Sequence, residues 1–235
     1  VYHSASQLGA AEAAYRRAHA LAPDDPRYAA ALGDLLTQIG RLDEALPLLR
    51  AARARDPDDP VARVALGRLY LAGGDPGRTA TQAVAELEEA IRIDPRRAEA
   101  YALLGRAYLR LDRWDEAVRA FERSLALAPH YDLAWYGLAQ AYERQGRSRD
   151  AQRAHRAFRA ATANFHRIQT LRLRLQHRPD DARLHFDLAE LYRERGWNRA
   201  AYTEVLRGLQ FRPRDPRGLR LKRELERQAT AEGRR

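Results

Sequence analysis

The stretch that decides the fold is AEAYALLGRAYLRLDRWDEAVRAFERSLALAPHY, at positions 98–131. Two sets of side chains recur in it at helical spacings of three, four and seven: Tyr101, Leu104, Gly105 and Tyr108, then Ala117, Phe121 and Ser124. Small residues let two helices approach closely where they cross, and large ones fill the layer between neighbouring hairpins. The stretch therefore predicts a pair of antiparallel helices joined by a short turn.

The same pattern recurs along the chain. Prolines that end helices stand at Pro23, Pro57, Pro95, Pro129, Pro179 and Pro213, and three of the five intervals between them are identical. The pairs Asp25-Pro26 and Asp59-Pro60 predict the start of the next helix, because an Asp side chain caps free backbone N–H groups and proline suits the first helical position. One hairpin cannot bury its apolar face alone, so the hairpins must stack.

These residues resemble the tetratricopeptide repeat (TPR), a helix-turn-helix unit of about 34 residues with the pattern W-x2-L-G-x2-Y, A-x3-F and a terminal proline. The resemblance, to TPR proteins of bacterial type, implies an all-α solenoid in which antiparallel helix pairs form a right-handed superhelix. We expect a single TPR solenoid over 1–235. Its parts are a partial repeat at 1–25, five repeats at 26–59, 60–97, 98–131, 132–165 and 182–215, an extension at 166–181 and a capping helix at 216–232.

The chain departs from the regular period in two places. The unit 60–97 has four extra residues around 73–77, which we expect to lengthen a loop. The interval between Pro129 and Pro179 is the longest of the five and leaves room for an extended or extra helix at about 148–178. One continuous helix and two helices broken near Asn164 both satisfy the pattern.

Composition and motifs argue against catalysis. The 235 residues include no cysteine, which excludes a thiol nucleophile, a disulfide and a thiolate metal site. The sequence contains no G-x-S-x-G elbow, no H-E-x-x-H and no phosphate-binding loop of the usual spacing. On a helix, His155, His166 and His177 would each be about 16 Å from the next, so they cannot share a metal ion. We therefore expect no enzymatic activity, no catalytic residue, no metal site and no cofactor.

The resemblance implies a surface for partner binding. In proteins that this chain resembles, positions 2, 5, 9, 12 and 13 of the first helix in each unit line a concave groove that holds a segment of a protein partner. The chain would then be a non-enzymatic scaffold, a subunit or adaptor of a larger assembly. Carried over to this sequence, the predicted contact residues are Val64, Arg68, Leu71, Arg106, Leu109, Arg110, Tyr136, Gln140, Arg144 and Phe186.

The arginines of this predicted groove allow two interpretations. They can form bidentate bonds with carboxylates of a partner, beside apolar side chains that a partner would bury. Alternatively, they pair with Asp34, Glu99 or Glu143 of neighbouring repeats and only keep the groove polar, since exposed ion pairs add little stability.

Positive charge is concentrated in the second part of the chain. The formal net charge of +10 divides into −2 for residues 1–141 and +12 for 142–235. The arginines at helical spacing that form a predicted basic face are Arg149, Arg153, Arg156, Arg167, Arg174 and Arg178. Such a face could meet a nucleic acid or another anionic surface. No aromatic side chains interleave with these arginines, so the pattern favours a solvated helix face over nucleic-acid binding.

Other properties are only weakly indicated. An accessory domain of a longer enzyme is a third alternative for the function. No stretch approaches about 18 apolar residues, so we expect no transmembrane segment in this chain. The chain starts at Val1 and inside a repeat, which fits an exported or periplasmic protein shortened at its N-terminus, while a cytoplasmic protein fits nearly as well. The sequence predicts neither the oligomeric state nor the identity of the partner.

Overall fold

A computed structural model of the protein describes residues 2–74 and 76–232, with side chains over 8–74 and 77–230. Within these ranges every regular element is an α-helix, so the predicted all-α helical repeat fold is confirmed. The helices are α1 Tyr2–Leu21, α2 Pro26–Gln38, α3 Leu42–Arg55, α4 Pro60–Ala72, α5 Pro76–Ile93, α6 Ala98–Arg110, α7 Trp114–Leu127, α8 Asp132–Arg144, α9 Ser148–His177, α10 Ala182–Glu194, α11 Asn198–Phe211 and α12 Pro216–Glu232.

Aspartates fix the beginning of several hairpins. Asp25, Asp59 and Asp181 stand immediately before α2, α4 and α10. The carboxylate of each accepts a hydrogen bond from the backbone N–H two residues later, at 3.0, 2.9 and 3.0 Å. Each bond satisfies one of the N–H groups that have no partner inside the helix. The caps expected at Asp25 and Asp59 are therefore confirmed, and Asp181 is a further cap that the sequence analysis did not name.

A left-handed backbone position ends several of the first helices. Gly40, Gly146 and Gly196 have φ angles of +83°, +72° and +70°. Asp112, one repeat before Gly146, occupies the equivalent position and has a φ angle of +55°. Glycine adopts this conformation without steric cost, and aspartate tolerates it better than most other residues. The turn between the helices of a hairpin is thus set by one residue.

The core is built from large side chains that lie against glycines. Leu49 is fully buried and lies against Gly33. Phe121 of α7 is also fully buried, between Gly105 of α6 and Gly137 of α8. A methyl group at Gly105 would come within 2.7 Å of the Phe121 ring. One aromatic ring therefore holds three helices together, and the glycines make room for it.

A three-residue contact recurs with the repeat period. The Tyr108 hydroxyl donates a hydrogen bond to Glu88 at 2.7 Å, and the guanidinium of Arg113 lies 4.4 Å from the centre of the tyrosine ring. The same contacts occur one repeat later around Tyr142, at 2.9 and 4.3 Å. Burial, with the bonded carboxylate as a second cause, raises the pKa of both tyrosines to about 12. Each contact joins a first helix to the second helix of the preceding hairpin.

The expectation of a longer loop at 73–77 is wrong. Helix α4 ends at Ala72 and α5 begins at Pro76, so the connection is as short as that between α2 and α3. The extra residues form an additional turn at the start of α5, which has 18 residues where α3 has 14. Asp75 itself lies outside the described residues.

The long interval between Pro129 and Pro179 contains one continuous helix, α9, of 30 residues. The chain divides into two compact units, which we call unit 1, Val1–Leu127 with Leu133–His155, and unit 2, Ala128–Asp132 with Arg156–Arg235. The single solenoid over 1–235 and its division into repeats stay predictions. Val1 and residues 233–235 lie outside the described residues.

Candidate partner-binding site

The first helices of the hairpins in unit 1, α2, α4, α6 and α8, form what we call the groove face. Arg68 of α4 lies at its centre. One guanidinium nitrogen donates to Asp34 of α2 at 2.5 Å, and another donates to Glu99 of α6. Arg68 thus links three helices, and its side chain is only 24% exposed. For this residue the structure shows the second interpretation, pairing between neighbouring repeats.

Three predicted contact residues are buried and do not belong to an accessible surface. The exposed fractions of Val64, Leu71 and Phe186 are 3%, 2% and 1%. Val64 and Leu71 lie seven residues apart on α4, which has α2 and α6 packed on its two sides. Phe186 lies against the backbone at Gly208 and Gly218. The repeat position alone does not determine whether an apolar side chain is accessible, and we omit these three from the proposed site.

Part of the accessible groove face lies on α6 and α8. Tyr136 and Leu133 are 44% and 52% exposed. Leu133 stands at the second position of its helix, which the TPR resemblance also places in the groove. The other predicted residues on these helices are the exposed Arg106, Arg110 and Arg144 and the half-buried Leu109 and Gln140.

The surroundings of α8 orient one of these arginines. The guanidinium of Arg144 lies 5.5 Å from the ring centre of Trp114, within the range of a cation–π contact. Glu143 forms a hydrogen bond with His155 Nε2 at 2.8 Å. This part of the groove face therefore presents an exposed phenol and a leucine beside guanidinium groups. Such a surface can bury an apolar side chain and bind carboxylates.

The predicted basic face is divided between the units. Arg149 and Arg153 belong to unit 1 and the other four to unit 2, and all six are exposed. Asp150 is the single acidic residue of α9, and its carboxylate pairs with Arg147 at 2.8 Å and with Arg153 at 3.7 Å. The members of this face that form no ion pair with a described side chain are Arg149, Arg156, Arg167, Arg174 and Arg178.

Two of these arginines border a cavity in unit 2. Arg167 and Arg174 line a space of about 520 Å³ whose other wall carries Asp187 and Glu190 of α10. Arg217 binds both carboxylates, each at 2.7 Å. The hydrogen bond from Arg217 lowers the pKa of Glu190, and the same pairing raises the pKa of Arg217. Arg217 therefore offsets one of the two negative charges on this wall.

A second cavity in unit 2, of about 570 Å³, was not predicted. Its floor contains His185, which is 5% exposed and has a hydrogen-bond partner at both ring nitrogens. His185 Nδ1 is hydrogen-bonded to a carboxyl oxygen of Glu204 at 2.7 Å, and Nε2 is hydrogen-bonded to the carbonyl oxygen of Pro179 at 2.9 Å. Both ring nitrogens of His185 are therefore engaged within unit 2, one by a carboxyl group and the other by a backbone carbonyl. No motif spacing connects these residues, which are brought together by the fold.

Metal-binding and membrane-spanning features are missing from the part of the chain that the structure describes. Among the described side chains, no group of three or more His, Asp or Glu residues is placed to hold a metal ion. No helix within residues 2–74 and 76–232 is both long enough and apolar enough to cross a membrane.

Stacked helical hairpins with a repeat-period core define a helical repeat protein. Sequence models of the tetratricopeptide repeat match residues 40–78, 98–131 and 120–153. The chain therefore contains tetratricopeptide repeats within these residues.

Several known proteins are similar to parts of the chain. The Cell division cycle protein 27 homolog of Caenorhabditis elegans is 44% identical over 61 residues, which cover 26% of this chain and 8% of that protein. The crystal structure of MamA superposes with a TM-score of 0.56 at 22% identity, covering 68% of this chain and 92% of MamA. YrrB, described as a TPR protein with an unusual peptide-binding site, gives 0.52 at 16% identity, covering 89% and 98%. Both structures show that the fold is shared.

Proposed function

We propose that the protein is a non-enzymatic interaction scaffold that binds a segment of a protein partner on the groove face of unit 1. The observation that carries this proposal is the half-exposed Tyr136 and Leu133 on the same face as exposed arginines of α6 and α8. TPR proteins bind protein partners, and YrrB, which shares the fold, is described as having a peptide-binding site.

The chemistry of the face defines the kind of segment that fits. An apolar side chain of the partner that covers Tyr136 and Leu133 would contribute favourable free energy of binding, because about half of each is in contact with water. Arg110 and Arg144 would bind carboxylates on either side of that side chain. Arg68 contributes no free charge, because it is paired with Asp34 and Glu99. The preferred partner is therefore a segment with an apolar residue near acidic ones.

A peptide array tests this preference. The intact chain and a variant carrying Arg110→Ala, Tyr136→Ala and Arg144→Ala are each applied to the same array of random peptides. The peptide sequences that the two proteins bind are then compared. Tyrosine and arginine are frequent hot spots of interfaces, so we expect the variant to weaken binding of apolar, acidic peptides at least about tenfold.

A matched control has the same kinds of substitution outside the groove face. Tyr15, Arg50 and Arg119 are exposed on α1, α3 and α7, and their triple alanine variant should bind the same peptides as the unmodified chain. If both triple variants lose binding equally, or if neither does, the groove face is not the binding surface.

A second candidate function is binding of a duplex nucleic acid by the arginines of α9 in unit 2. The observation that favours it is that the four arginines of the predicted basic face in unit 2 form no ion pair with a described residue. They are Arg156, Arg167, Arg174 and Arg178. Four phosphate contacts predict that the logarithm of the binding constant falls with the logarithm of salt concentration at a slope of about −3.6. The quadruple glutamine variant should remove this slope, and a control with Arg199, Arg212, Arg214 and Arg227 changed to glutamine should keep it. No binding of duplex DNA at low salt would exclude the candidate.

A further inference from the structure

The unpredicted cavity of unit 2 has a volume that suits a small ligand or the end of a chain. Its 570 Å³ lies between the last turns of α9 and α11, above residues of α10. Cavities of about 300–1,000 Å³ are typical of ligand sites in proteins. The groove face of unit 1 contributes nothing to this cavity, so an occupant would bind independently of the partner proposed above.

The charges around the cavity are mostly positive. Glu204 has both oxygens engaged, one by His185 and the other by Arg207 at 2.7 Å. The positive charge of Arg207 balances the negative charge of Glu204. Arg172 adds a further guanidinium at the wall and forms no ion pair with a described residue. The cavity therefore has an excess of positive charge that an anionic group would balance.

Polar donors and an apolar wall meet in the same space. The Tyr192 hydroxyl makes no hydrogen bond with a described residue, and burial raises the pKa of this tyrosine, so the group stays a donor at neutral pH. Phe211 stacks on His185 with the ring centres 6.0 Å apart and the planes at 17°. Its other side is open, since Phe211 is 45% exposed. Leu188, which is 2% exposed, completes an apolar surface beside the charged wall.

We propose that this cavity binds the C-terminal residue of a peptide, with its free carboxylate on Arg172 and its apolar side chain against Phe211. A guanidinium can bind a carboxylate in a bidentate manner. Gln176 and Gln210 also line the cavity, and their amides can both donate to and accept from a peptide bond. A peptide end supplies all three chemical features in one molecule: carboxylate, side chain and peptide bond.

Isothermal titration with paired peptides tests the proposal on the intact chain. One probe is an N-acetylated tripeptide ending in phenylalanine with a free carboxylate, and the other is the same tripeptide with a C-terminal amide. We expect the free acid to bind at least about tenfold more tightly, because the amide cannot form the charged pair with Arg172. N-acetylphenylalanine is the control that distinguishes recognition of a peptide end from recognition of any small aromatic acid. It should bind more weakly than the tripeptide acid because it lacks the additional peptide bonds.

Two substitutions on the same helix locate the site. Arg172→Gln should reduce the preference for the free acid to less than about twofold. Arg167→Gln removes another exposed arginine of α9 that does not line this cavity, and it should leave the preference unchanged. Tyr192→Phe, which keeps the packing of the ring, should weaken binding of the acid without abolishing it.

Three results would overturn the proposal. They are equal affinity for acid and amide, equal loss of affinity in the two arginine variants, and N-acetylphenylalanine binding as tightly as the tripeptide acid. Circular dichroism of each variant shows whether the helices persist, so a loss of binding in a folded Arg172→Gln variant remains informative.

Discussion

Replacement of Phe121 by alanine should be the most damaging single change in the core of unit 1. The ring is fully buried between Gly105 and Gly137, and removing such a ring costs about 3–5 kcal/mol of unfolding free energy. The upper part of this range applies because the opposing glycines have no side chains that could fill the space. With a urea m-value of about 1–3 kcal/mol per molar, the unfolding midpoint should fall by more than about 1 M.

Gly137→Ala makes this test specific to the contact with Phe121. In the unmodified chain the new methyl group would collide with the ring, and overpacking of this kind costs about 1–3 kcal/mol. After Phe121→Ala the collision is gone, and alanine should instead stabilise α8 by about 1 kcal/mol through its helix propensity. Urea unfolding followed by tryptophan fluorescence and circular dichroism measures all four chains of the cycle. Equal effects of Gly137→Ala in the two backgrounds would refute the packing that we describe.

Three further predictions concern titration, capping and a buried charge. Tyr108 and Tyr142 have pKa values raised from 10.0 to about 12. Their contribution to the free energy of unfolding is therefore present below pH 10 and lost as the pH rises to about 12. Ultraviolet titration of the tyrosines and urea unfolding at about pH 9 and 11.5 should show this loss. Asp59→Ala should cost about 1 kcal/mol in thermal unfolding through loss of the helix cap, while the exposed Asp58→Ala should change stability by less than about 0.5 kcal/mol. Glu204→Gln should cost about 1.5–3 kcal/mol, because His185 and Arg207 lose a charged acceptor, and an unchanged melting temperature would contradict this.

Features set by neighbouring residues were predictable from the sequence. Asp59-Pro60 indicates a helix start because both residues act within one turn of the helix. Gly105 and Phe121 occupy fixed positions of the repeat, so their contact follows once the hairpin is assigned. The ion pair of Arg68 with Asp34 was one of the two interpretations open from the sequence: the two residues hold the same position in successive units, and equal positions in neighbouring first helices lie side by side.

Other features depend on contacts that the repeat pattern does not encode. Val64 and Leu71 stand at positions that face partners in related proteins, but the packing of α2 and α6 around α4 buries them. The cavity of unit 2 requires His185 and Glu204 to meet across two helices, and Arg172 to approach from a third. Such arrangements arise from the fitting of whole helices against one another, and no short spacing in the sequence marks them.

The additional turn at the start of α5 suggests how this architecture tolerates change. Four residues approximate one turn of an α-helix, so their addition leaves Ala83, Leu87 and Ala90 fully buried in the core. The growth is confined to the tip of a single hairpin and imposes no rearrangement on the hairpins before and after it. Lengthening a hairpin by whole turns at its tip is therefore a route by which such a chain can acquire new surface during evolution, or in the laboratory, while its existing contacts are preserved.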